Sequence, residues 1–168
     1  MKQHFHQARR QSGVMLIEAL IALLIFSVGI LGIVGMQSAA VQASGDAKYR
    51  SDAALLANEL IGRMWVSDRT QATLQTAYQT NGTAYQAWAW TGIGGTGTQA
   101  APAAGTVMQS LPGITATTNL PTVVITPDAG STPTSTPTSV VTITVFWQAP
   151  RETTPHQFVA QAQISRNP

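Results

Sequence analysis

An uninterrupted apolar run constrains this chain more than anything else in it. Residues 14–36 read Val-Met-Leu-Ile-Glu-Ala-Leu-Ile-Ala-Leu-Leu-Ile-Phe-Ser-Val-Gly-Ile-Leu-Gly-Ile-Val-Gly-Met, with Glu18 the one charge and no proline. At a rise of about 1.5 Å per residue such a helix spans roughly 35 Å, enough to cross a hydrocarbon core of about 30 Å. In lipid every backbone N–H and C=O must be paired within the segment, so the run is expected to be helical. Two features then need a reason: a carboxylate near the start of an oily helix, and Gly13 at its edge behind a short basic leader.

Charge is placed unevenly. The net charge is +2, but Lys2, Arg9 and Arg10 precede Gly13, and the remaining Lys and Arg are outnumbered by the seven Asp and Glu. Positive charge ahead of an apolar span holds that end in the cytoplasm, which sends everything after residue 36 to the other side. No basic patch suited to nucleic acid remains. An ordinary secretory signal has a shorter apolar region followed by a small-x-small cleavage site. Here the run is long and continues into helix-forming sequence, and Ala39, Ala40 and Ala43 imitate such a site only weakly.

The segment Arg-Arg-Gln-Ser-Gly-Val-Met-Leu-Ile-Glu, residues 9–18, resembles the processing region of type IV prepilins. The resemblance implies a cut between Gly13 and Val14 by a membrane prepilin peptidase, followed by N-methylation of Val14. It places Glu18 at the fifth mature position, where the family keeps a Glu. Val14 departs from the commoner Phe. Gly13 suits the cut physically, because a backbone without Cβ lies flat in a protease groove. A carboxylate inside a bilayer costs about 2.5–3.5 kcal/mol, less near an interface. Glu18 is thus either an interfacial carboxylate or, as the resemblance implies, the partner of the Val14 amine on a neighbouring subunit. Gly29, Gly32 and Gly35 recur every three residues, allowing close helix contact or local softening of the helix.

Beyond residue 36 the chain turns polar while keeping helical periodicity. Ala53, Leu56, Ala57, Leu60 and Met64 form a stripe flanked by Ile61 and Trp65, and Glu59 and Arg63 are four apart in the favourable order. One helix is expected from about residue 14 to about 66, with its stripe packed on a sheet. Residues 49–65 also resemble the Ala-rich segment ending in Arg-Met of PilV-type minor pilins, as does Val28-Gly29-Ile30-Leu31-Gly32. The resemblance covers about residues 8–66. It implies an α+β type IV pilin fold divided into a 1–13 leader, a 14–36 membrane or filament-core helix, a 37–66 amphipathic half and a 67–168 head. The head would be β-rich, with flexible loops at 91–113 and 127–139.

Alternation supports strands at 140–148 and 158–164, joined as an antiparallel hairpin, and a strand within 114–126 interrupted by Pro121. Alternation at Trp88 and Trp90 suggests a short strand or an exposed patch, with ordinary packing against the long helix expected ahead of ligand stacking. The Thr- and Pro-rich stretch 127–139 reads as a solvated loop that could carry O-linked sugar. With no Cys there is no disulfide, so strand pairing, calcium or neighbouring subunits must hold the C-terminal region. Gly92, Gly94 and Gly95 sit in no phosphate-loop frame. His4 and His6 fall in the leader and His156 stands apart, so no cluster with metal spacing, no cofactor and no catalysis are expected. Ser139, His156 and Asp128 could be imagined as a triad, but no spacing joins them.

The resemblance implies a minor pilin that primes or modifies pilus assembly at or near the tip. It would be anchored in the bacterial inner membrane with its head in the periplasm, then carried to the cell surface. Its partners would be the prepilin peptidase, other minor pilins, the major pilin and the inner-membrane assembly platform. The alternatives are a minor pseudopilin of type II secretion and, from another class, a membrane-anchored periplasmic enzyme.

Overall fold

A computed structural model describes residues 12–91, 103, 105–115, 117–128 and 138–166. It is α+β. A long N-terminal helix α1 (Ser12–Val66) leads into α2 (Gln71–Tyr78), α3 (Thr83–Gln86) and a π-helical turn over Ala87–Thr91. Then follow α4 (Val107–Ser110) and three strands, β1 (Thr122–Pro127), β2 (Thr138–Trp147) and β3 (His156–Ser165). The chain forms two compact units, residues 1–44 and Gly45–Pro168.

In the first unit, the described residues from Gly13 onward are exposed helix. Ser27 donates its hydroxyl to the Leu23 carbonyl at 2.7 Å, so even the hydroxyl inside the apolar run is satisfied by its own helix. α1 is the one helix among the described residues long and apolar enough to cross a membrane.

The second unit is built around the α1 stripe. Ala53, Ala57, Leu60 and Met64 are fully buried and Leu56 nearly so, as their i, i+3, i+4 spacing requires. They share one core with the inward face of an antiparallel sheet ordered β1-β2-β3. Period-2 alternation sends Val141, Ile143, Val145 and Trp147 of β2 into that core. Val123 and Ile125 of β1 pair with Ile143 and Val141, while Ala160 and Ala162 of β3 flank them on the other side. β1 starts only after Pro121, which has no N–H to give a ladder. Gly113 adopts φ +76, and a Cβ there would lie 2.6 Å from the Gln148 side chain. Only glycine lets this loop close on the end of β2, where Gln148 N–H donates to the Pro112 carbonyl at 2.9 Å.

Residues 71–91 hold two short helices and a π-helical turn, so Trp88 and Trp90 form neither the short strand nor the exposed patch expected of them. Trp88, Ala89 and Trp90 are all buried, whereas a strand would turn Ala89 to the opposite face. Thr70 caps α2, accepting from Thr73 N–H. The Asp68 carboxylate, held below its ordinary range first by the Thr70 N–H and then by the Thr73 hydroxyl, braces the same turn. Both loop expectations change at their described ends: α4 interrupts 91–113, while Pro127 and residues 138–139 belong to strands. Of those two loops, residues 92–102, 104 and 129–137 lie outside the described residues.

Tyr85 is fully buried and donates its hydroxyl to the Pro121 carbonyl at 2.5 Å. Burial pushes its pKa up to about 12 from 10.0. The folded chain thus holds the phenolic proton more tightly than the unfolded chain does. This contribution is complete below pH 10 and is lost as pH rises towards 12. Urea midpoints measured across that interval should fall, and Tyr85→Phe should reduce the fall.

Candidate functional site

Gly13, Val14 and Glu18 lie in the first turns of α1, and all three are exposed. The Gly13–Val14 bond is thus helical. Expected leader residues 1–11 lie outside the described residues. Gly29, Gly32 and Gly35 lie within the same unbroken helix, and a Cβ at any of them would meet nothing within 4 Å. Large apolar side chains from Val14 to Met36 are between 46% and 75% exposed. A contiguous exposed apolar surface of this kind is the type that marks a membrane or protein contact.

The head holds a grouping that sequence spacing did not reveal. Asp46 on α1, Glu152 in the β2–β3 turn and His156 at the start of β3 bring one donor atom each to within 4.8 Å of one another. His156 Nε2 is 2.9 Å from Glu152 Oε2. The turn fixes the glutamate: Ala149 N–H donates to Glu152 Oε2 at 3.2 Å, and the Gln148 amide donates to the Glu152 carbonyl at 2.6 Å. Arg151 takes the left-handed conformation that closes the turn, with φ 79. The Trp147 ring stacks on His156 at 5.7 Å and 15°. Asp46 lies far from the other two in sequence, so no local motif announces the group.

Beside α2 an open groove of about 470 Å³ is lined by Arg69, Thr70, Gln75, Ser139 and Arg166, among others. Its described lining contains neither histidine nor carboxylate and so offers no acid–base pair. The imagined triad is not assembled. Ser139 pairs with Ile164 and His156 with Trp147, at opposite ends of the β2–β3 ladder. Asp128 accepts from the Thr138 hydroxyl at 3.0 Å.

No protein-family model, curated protein or solved structure matches the chain.

Proposed function

We propose that this chain is a type IV prepilin-like minor pilin of the PilV type, an assembly subunit that primes or modifies a pilus. The observation that carries the reading is the combination at the N-terminus: a basic leader, Gly13, and an apolar helix with Glu18 five residues beyond the glycine. A helix fully exposed over its apolar length, joined to a small α+β head, supports the same reading, because the fold itself buries none of that surface.

On this reading the leader faces the cytoplasm of the bacterial inner membrane and the head faces the periplasm. The prepilin peptidase cuts between Gly13 and Val14. The cut bond lies in the first turn of α1, where helix N–H groups lack intrahelical partners and opening is cheap. Gly13 lowers the cost further, by up to about 1 kcal/mol relative to Ala. The chain then passes from the lipid, through the assembly platform, into a filament with the major and other minor pilins. There the exposed face of residues 14–36 is covered by neighbouring helices, and the Glu18 carboxylate meets the Val14 amine of the adjacent subunit. Gly29, Gly32 and Gly35 let helices approach closely and let the segment loosen as it leaves the membrane.

The test is the mass and N-terminal sequence of the chain recovered from cells with an active prepilin peptidase. It should begin at Val14 and carry one added methyl group on the amine. Recovery with Met1 to Gly13 still attached overturns the reading.

A further inference from the structure

We propose that Asp46, Glu152 and His156 bind a divalent first-row transition ion of the zinc type on the head. The three donors are two carboxylates and one imidazole, drawn from α1, the β2–β3 turn and β3, with their ligating atoms mutually within 4.8 Å. Zinc–oxygen and zinc–nitrogen bonds of about 2.0–2.2 Å put neighbouring ligands of a tetrahedral ion roughly 3.3 Å apart. His156 Nε2 and Glu152 Oε2, 2.9 Å apart, are already near that spacing. Asp46 is only half-buried, so its carboxylate can close the remaining gap by a side-chain rotation.

Charge points the same way. Among the described residues neither carboxylate has a Lys or Arg within 4 Å, the ion pairs there being Arg63–Glu59 and His156–Glu152. Two carboxylates gathered with one imidazole carry negative charge that a dication neutralises. The imidazole selects the ion: calcium and magnesium take oxygen ligands, whereas a mixed nitrogen and oxygen set suits zinc and its neighbours. Two ligands are held in place beforehand. The turn hydrogen bonds fix Glu152, and the Trp147 face fixes the plane of the His156 ring. The ion would tie α1 to the β2–β3 turn within the Gly45–Pro168 unit, in a chain that has no cysteine to make such a link.

The experiment is zinc titration by calorimetry at neutral pH on the full chain in detergent. His4→Gln and His6→Gln are present throughout, so that the leader imidazoles do not compete. We expect one zinc per chain with a micromolar Kd, a raised melting temperature, and no displacement by millimolar calcium. Asp46→Asn and His156→Ala should each weaken binding by about tenfold or more. Asp46→Asn keeps its shape on the surface of α1 and leaves the turn hydrogen bonds intact. An unchanged melting temperature without metal certifies its fold, and it decides the matter alone if His156→Ala does not fold. Zinc binding at millimolar strength only, equal affinity in Asp46→Asn, or displacement by calcium would each overturn the proposal.

Discussion

Replacing Glu18 with alanine is expected to leave the chain in the membrane while cutting its recovery in filaments at least tenfold. The expectation rests on the pilin reading and on two competing magnitudes. A carboxylate within the bilayer costs about 2.5–3.5 kcal/mol, so its loss makes insertion easier. A carboxylate and an amine about 4 Å apart gain about 4 kcal/mol at an effective dielectric near 20. In the filament that gain offsets the burial cost and fixes the axial register between subunits. Since 1.4 kcal/mol is a factor of ten, losing about a third of the pairing reaches the expected effect. Glu18→Gln separates charge from size: it keeps the length of the side chain and should assemble as poorly as the alanine variant. Quantifying the chain in sheared pili against membranes checks both. Normal incorporation of either variant would remove Glu18 from the assembly mechanism.

The second large effect concerns the head. Leu60, on the α1 stripe, is fully buried in the core that the stripe shares with the sheet. Leu60→Ala deletes a buried methine and two methyl groups and leaves a cavity in the core. The cost is about 3–5 kcal/mol, a large share of the roughly 5–15 kcal/mol that holds a typical domain folded. Leu55, on the same helix and 67% exposed, provides the matched control. Leu55→Ala removes the same atoms from a surface position and should change stability by less than about 0.5 kcal/mol. Urea midpoints of the two variants in detergent give the comparison. Equal shifts would mean that the stripe does not carry the core.

These two residues also show what could be read before folding. Leu60 belongs to a periodic stripe, and period alone assigns it to the core. The same holds for Val141, Ile143, Val145 and Trp147, where strict alternation forecasts both the strand and its buried face. The turn that carries Trp88 and Trp90 is harder to read because its local preferences pull towards a strand. Thr, Tyr and Trp favour strands, and the Trp-Ala-Trp order imitates alternation. The contrary signal was faint: Leu74 and Tyr78, four apart and both buried, behind Thr70 as an N-cap. Tertiary contacts decide the matter there, with the Trp88 indole N–H donating to the Leu56 carbonyl at 3.0 Å. The N-terminal candidates, Gly13, Val14 and Glu18, rest on spacing alone, and the structure adds that all three are exposed at the start of one helix. The Asp46, Glu152 and His156 group was not legible in the sequence, because only the return of the β2–β3 turn to α1 makes them neighbours.

The aromatic contacts of the head have a consequence for how such a chain changes over time. Trp88 reaches the carbonyl of Leu56, Tyr78 that of Arg63, and Tyr85 that of Pro121. In each pair the acceptor is a peptide oxygen, which every substitution preserves. Side chains around those oxygens are therefore free to drift, provided the three aromatic donors and the helix path persist. Kinship in this part of the molecule would survive as a few tyrosines and tryptophans at fixed positions, long after the residues between them had ceased to align.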